Sequence, residues 1–300
     1  MLEKLEFMIA LAREQHFGRA AEVCGVAQPT LSLGIQSLEQ MLNVALVKRS
    51  SRFQGFTPEG ERVLIWARRL VGDARAMRQD ILGLHPAAES QIRIAAIPCA
   101  MPVIARLAVP FQARNPGVRL RVMGRSSKAL LGLLHQREID AGITYLSNEP
   151  IGDVRSVPLY REEFLLLTTP DGPLGYSDRV TWEQAGNLPL CLFERDLQNR
   201  RIIDSVLRRI GVEPTPIMET DSLLALTSYV RIGHIASIVP SSVLEMIDLN
   251  GAMRAIPIVE PEVTHTIGLV VSDRFPVQPA VESLIHEARA AAPDGLLPVV

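Results

Sequence analysis

GRAAEVCGVAQPTLSLGIQSLEQML, residues 18–42, restricts this chain more than any other stretch. It reads as two short helical runs, 18–24 and 28–41, broken at Gly25. Ala20, Ala21 and Val26 are compact residues at the places where two crossed helices approach, and Gly25 permits the sharp turn between them. Leu31, Ile35 and Leu38 recur at helical spacing and give the second run an inward face. Gln28, Pro29, Thr30, Ser32, Leu33 and Gln36 are left facing elsewhere, mostly hydroxyls and amides where a core helix carries leucines. Free backbone N–H groups at a helix start favour phosphate, and amide and hydroxyl side chains address base edges in a major groove. A DNA-reading helix-turn-helix meets these conditions; another protein or plain solvent is the competing use of that surface.

The flanks extend the pattern. Leu5, Met8, Ile9 and Ala12 form one apolar face of a preceding helix. VALVKRSSRFQGFTPEG contains two short extended pieces around a basic turn, with Lys48, Arg49 and Arg52 placed to touch phosphate or the minor groove as a wing. The formal net charge of the whole chain, -2, argues neither for nor against nucleic acid. Residues 41–80 nevertheless hold eight Lys or Arg against four Asp or Glu. From Pro58 a long helix is expected, because proline suits a first helical turn. Leu64, Ala67, Val71, Ala74, Met77, Ile81 and Leu84 follow at spacings of three and four. So long a stripe favours a connecting helix that pairs with a partner chain, against packing on its own domain. LHPAAES, 84–90, reads as a linker.

Beyond it the period changes. QIRIAAIP, VRLRVMG and DAGITY read as strands separated by helical segments, in the manner of a parallel sheet covered by helices. EFLLLTTP, PLCLF, IASIV and THTIGLVV continue the strands, with helices at 199–211, 221–232 and about 277–291. This α/β material forms one domain or two small lobes, and either places a ligand where loops leave the carboxyl ends of strands.

Other classes find little support. Three hundred residues suit two or three domains. The amino-terminal run carries Glu3, Glu6 and Glu14 and is no secretory signal, and no apolar run has the length of a membrane span. Cys24, Cys99 and Cys191 are far apart and odd in number, and are expected to be reduced thiols in a cytoplasmic protein. No Gly-rich phosphate loop, G-x-S-x-G elbow, H-E-x-x-H or cluster of His and carboxylates is present, so neither enzyme chemistry, a cofactor nor a metal is expected. The six histidines are scattered, and His16 and His85 are expected at the surface or at helix ends.

FGRAAEVCGVAQPTLSLGIQSLEQMLNVALVKRSSRFQGFTPEGERVL resembles the amino-terminal region of LysR-type transcriptional regulators. The resemblance rests on Phe17, the Ala20–Ala21 pair, Gln28, Pro29, Thr30, Leu31 and Ser32, the Leu38–Glu39 pair, the basic Lys48–Arg49, and Thr57 with Gly60. The later segment has the length and element order that such regulators share. Two departures matter: Ala27 stands where the family usually has serine, and Leu33 with Gly34 where a basic residue is frequent. The resemblance implies a winged helix-turn-helix over 1–57 and a dimerisation helix with hinge over 58–90. It further implies a two-lobed, periplasmic-binding-protein-like α/β effector domain over 91–300, lobe I about 91–161 and 266–300 and lobe II about 162–265. Its partners would be double-stranded promoter DNA, a small-molecule effector (an organic anion or aromatic metabolite) and, for an activator, RNA polymerase, with homodimers pairing into a homotetramer. The implied effector cleft draws on Cys99, Ala100, Met101, Ser126, Ser127, Phe193, Arg195, Thr220 and Asp221. Ser126 and Ser127 equally suit a helix cap, and Arg195, Arg200 and Arg201 suit either a ligand carboxylate or surface salt bridges. A thiol-responsive regulator is the alternative reading of Cys99 and Cys191, and an α/β enzyme or plain small-molecule-binding protein the alternative outside regulation.

Overall fold

A computed structural model describes residues 1–48, 53–83, 90–247, 249–273 and 277–292. The chain divides into two compact units, Met1–Ala88 with His135–Glu138, and Glu89–Leu134 with Ile139–Val300.

The first unit contains α1 (Leu2–Glu14), α2 (Phe17–Val23), α3 (Gln28–Leu42) and α4 (Pro58–Gly83). His16 caps α2: its Nδ1 accepts the backbone N–H groups of Gly18 and Arg19 at 3.1 and 3.3 Å. Gly25 turns the chain at φ +66°, in the left-handed region that disfavours other residues. α3 begins at Ala27 with no side-chain cap and a proline in its first turn. Leu31, Ile35 and Leu38 meet Met8, Leu11, Ala20 and Ala21 in a closed core. Gly34 is required there, because an added Cβ would lie 2.6 Å from the Phe7 ring.

The wing stem is shorter than the two extended pieces expected. It is one antiparallel bridge, Val47 to Phe56, beside a bond from Lys48 N–H to Gly55 O at 3.1 Å. Arg49 and Arg52 lie outside the described residues. Two side chains set the stem. Buried Glu39 accepts the N–H groups of Leu46 and Val47 at 2.8 and 3.1 Å. Thr57 donates to Ala45 O at 2.6 Å and accepts Gly60 N–H at 2.9 Å, capping α4.

The apolar stripe of α4 divides. Leu64, Ala67 and Val71 are buried in the core of this unit, as the own-domain alternative required. Met77 and Ile81 remain exposed, and so do Ile65, Trp66 and Leu70.

The second unit runs β1 (Ser90–Ala96), α5 (Met101–Arg114), β2 (Val118–Gly124), α6 (Ser127–His135), β3 (Ala141–Tyr145), β4 (Val154–Glu162), β5 (Phe164–Thr168), β6 (Val180–Thr181), α7 (Trp182–Gly186), β7 (Cys191–Phe193), α8 (Gln198–Arg209), β8 (Met218–Thr220), α9 (Leu223–Gly233), β9 (Ser237–Pro240), β10 (Arg254–Val259), β11 (His265–Ser272) and α10 (Pro279–Ala291). A five-stranded sheet has the order β2-β1-β3-β11-β4, a four-stranded one β6-β10-β5-β9, and β7 pairs with β8.

The parallel arrangement expected of the first three strands is present, and the later strands depart from it. β1, β2 and β3 are parallel, but β11 is antiparallel to both β3 and β4. β5 is likewise antiparallel to β9 and β10. The antiparallel strands follow from the path of the chain. It passes from the first sheet to the second between Glu162 and Phe164, and returns between Val259 and His265. Two crossings make two lobes, and the return strand must enter the first sheet reversed. One core nevertheless links them, with Ile94 and Leu269 from the first sheet and Phe164, Leu166 and Ile256 from the second in a single buried cluster.

Candidate DNA-reading face and effector cleft

On α3 the inward residues are spent on the core, which leaves a solvent-facing side. Gln28, Pro29, Thr30 and Gln36 are exposed and Leu33 is 63% exposed, while Ser32 is half-buried. The spacing from 29 to 33 to 36 keeps these residues on one helical face. Lys48 is exposed at the stem of the wing. Ser37 is not available beside them, since its hydroxyl accepts Lys4 Nζ at 2.7 Å. The face is thus a row of neutral donors and acceptors opening at uncapped helix N–H groups, the chemistry a major groove and its phosphates require.

In the second unit, three of the nine expected effector contacts come together. Cys99, Ser126 and Ser127 line a small cavity with Tyr145, Leu197 and Asn199. A 3-10 turn over Pro98–Ala100 carries Cys99 from the end of β1 to the start of α8, where Asn199 Nδ2 donates to its sulfur at 3.4 Å. The room is about 10 Å³, enough for about one water. Ser127 is 1% exposed, and its hydroxyl has no partner among the described residues. A buried hydroxyl left so costs about 1–3 kcal/mol, which makes it an uneconomical cap and a natural contact for a ligand or water.

The other six do not line this cavity. Ala100 is fully buried in the main core and Met101 packs against it. Phe193 is buried among the residues around β7 and β9. Arg195 has 70% of its side chain exposed, 3.8 Å from Asp204. Thr220 accepts the Ser222 N–H at 3.1 Å, and Asp221 is exposed. The remaining arginines are held by the protein itself. Arg200 is wholly buried and bonds Asp204 at 2.8 Å, Phe193 O at 2.6 Å and Glu219 at 2.5 Å. Arg201 grips Glu149 with two bonds of 2.7 and 2.9 Å.

Behind Cys99 lies a group that local sequence did not disclose. Glu162, fully buried at the first crossing between sheets, accepts the hydroxyls of Tyr145, of Tyr160 at 3.4 Å and of Ser242 at 2.6 Å. Burial pushes its carboxyl up to about 7, against the lowering effect of those three donors. Burial, then the nearby Glu162, holds the Cys99 thiol well above its ordinary range. Burial alone takes Cys191 to about 11. Both thiols are therefore protonated at neutral pH and weakly nucleophilic. Among the described residues no group of three His, Cys, Asp or Glu is disposed to hold a metal ion.

Comparison with known proteins yields two family matches: "LysR substrate binding domain" over residues 86–293, and "Bacterial regulatory helix-turn-helix protein, lysR family" over residues 2–61. A probable hydrogen peroxide-inducible genes activator of Mycobacterium avium is 33% identical over 63% of this chain, which spans 61% of that protein. A probable nitrogen assimilation transcriptional activator of Synechococcus elongatus is 27% identical over 97% of this chain and 94% of its own. The DNA-binding transcriptional dual regulator OxyR of Escherichia coli is 26% identical over 96% of this chain and 95% of its own. Among solved structures, full-length OxyR from Pseudomonas aeruginosa superimposes with a TM-score of 0.73 at 27% identity, covering 96% of this chain and 94% of that one. CbnR complexed with its target DNA gives 0.71 at 19% identity, covering 97% and 100%, and shares the fold.

Proposed function

The chain belongs to the LysR family of DNA-binding transcriptional regulators, and from that premise we propose that it is switched by a small organic effector bound between the lobes of its second unit. The observation that carries this reading is the partnerless Ser127 hydroxyl beside Cys99 and Ser126 in a cavity of about 10 Å³. Sites for organic ligands usually hold roughly 300–1,000 Å³. An effector therefore fits only when the lobes stand further apart, and its binding favours that wider arrangement over the compact one. Unequal affinity for two arrangements is what effector control requires.

The reading includes the residues that touch DNA: Gln28, Pro29, Thr30, Ser32, Leu33 and Gln36 toward the bases and the start of α3, with Lys48, Arg49 and Arg52 toward the backbone. It includes assembly. One chain offers one reading helix, so two half-sites need at least a dimer. The exposed Trp66, Leu70, Met77 and Ile81 on α4 supply a face for one contact. Leu224 and Ile232 on α9, with Ile217 beside β8, are more than 60% exposed and supply another, so that dimers pair into a tetramer. The protein acts in the cytoplasm and not as an enzyme, and an activating role adds RNA polymerase as a partner.

Some relatives are named for hydrogen peroxide, but Cys99 and Cys191 are buried and protonated, which supports an effector in preference to peroxide. The deciding experiment is selection of bound genomic fragments by the purified protein, with and without a metabolite pool, across salt. An interrupted palindrome whose footprint changes with one metabolite class supports the proposal. Sequence-blind, salt-sensitive binding would sink it.

A further inference from the structure

α8 carries four arginines, and three are engaged: Arg200 by Asp204 and Glu219, Arg201 by Glu149, and Arg208 by Asp204 O at 3.1 Å. Arg209 has no acidic partner among the described residues. It stands at the rim of a cavity of about 250 Å³ between α8, the loop after β3 and the first residue of β11. Ile202 and Val206 form an apolar floor, and Asn148, Ser205 and His265 complete the rim. The Arg201–Glu149 pair neutralises itself at the same wall, so Arg209 is the unspent charge. Arg209 and His265 line the same cavity, and His265 is held below its ordinary proton affinity by burial, then by the Arg209 charge, which leaves the imidazole neutral at neutral pH. The Asn148 amide, on a backbone at φ +77°, lies 3.3 Å from His265 Nδ1.

We propose that this cavity is a second ligand site, separate from the Cys99 cleft, that takes a small monocarboxylate with a short apolar body. One unpaired guanidinium matches one negative charge, and hydroxyl, amide and imidazole groups offer further bonds to carboxylate oxygens. The Ile202–Val206 floor favours a few methylenes, which an inorganic anion lacks. The volume falls below that of drug-sized pockets and suits a molecule of roughly eight heavy atoms. Asn148 and His265 belong with the five-stranded sheet and α8 packs with the other lobe, so an occupant touches both and gives the lobe arrangement a second input.

The test is calorimetric titration of the full-length protein with hexanoate and, separately, inorganic phosphate. Hexanoate should bind once per chain and phosphate much more weakly. Arg209→Gln should weaken hexanoate about tenfold or more, while Arg208→Gln, one residue away and facing solvent, should not. Thermal melts of each variant check folding. Unchanged affinity in Arg209→Gln, equal binding of phosphate, or no binding up to about 10 mM would each overturn the assignment. So would loss of hexanoate binding in Ser127→Ala instead of Arg209→Gln, because the ligand would then occupy the cleft. The site does not depend on the cleft reading, and its failure leaves that reading standing.

Discussion

Glu39 and Glu162 are both buried carboxylates, and their surroundings give them opposite uses. Glu39 takes two backbone N–H groups and so holds the wing stem to α3. Glu39→Ala leaves both donors buried without that acceptor, and about 2–4 kcal/mol of stability should be lost, read as a lower denaturant midpoint. Among the described residues no cation stands beside Glu162, and burial raises its carboxyl from 4.5 to about 7. Between those values the folded chain keeps a proton that the unfolded chain has released. Stability therefore falls as pH rises through that window and levels off above it. Glu162→Gln keeps an acceptor for the Tyr145 hydroxyl and removes the titration. It should flatten that slope and add up to about 3 kcal/mol at about pH 8, measured by urea melts at several pH values.

At the scale of elements, the proposed function gives α3 and the wing stem different parts in binding DNA. Thr30 and Gln36 are exposed on the helix face, so Thr30→Ala or Gln36→Ala should alter sequence preference. Lys48→Ala should weaken all sequences alike and lower the salt slope by about 1. Fragment selection and salt titration separate these outcomes, and uniform loss from all three would reduce α3 to a positioning element. α4 serves its own core with Leu64, Ala67 and Val71 and leaves Trp66 and Leu70 outside, 58% and 41% exposed. Trp66→Glu with Leu70→Glu should leave the melting temperature close to the parent's and halve the sedimenting mass. An unchanged mass would exclude this face as the contact.

For the whole molecule, the buried thiols and the nearly filled cleft make one prediction. Alkylation of Cys99 and Cys191 should be slower by orders of magnitude than in denaturant, and oxidant should leave DNA binding unchanged. An effector that spreads the lobes should speed alkylation of Cys99, because that residue lines the cleft, and leave Cys191, within β7, protected. Equal acceleration of both thiols would mean general loosening in place of lobe opening.

The sequence by itself determined what is local. Helical spacing of Leu31, Ile35 and Leu38, the turn at Gly25 and the proline starting α4 follow from periodicity and backbone sterics, which act over a few residues. From these the winged helix-turn-helix and its outward face were legible. The tertiary structure decided which distant groups meet. β4 and β10 escaped notice because each carries a proline, Pro158 and Pro257, and buries its residues unevenly. Their antiparallel pairing follows from where the chain crosses between sheets. Of the residues lining the small cavity, Cys99, Ser126 and Ser127 are among those the family resemblance implied, while Arg195 turned outward and Asn199, Tyr145 and Glu162 entered unannounced. Asn199 lies 100 positions from Cys99, and Ser242 lies 80 from Glu162. No local pattern encodes such meetings, because they depend on how two lobes pack, and packing is settled by the whole core at once.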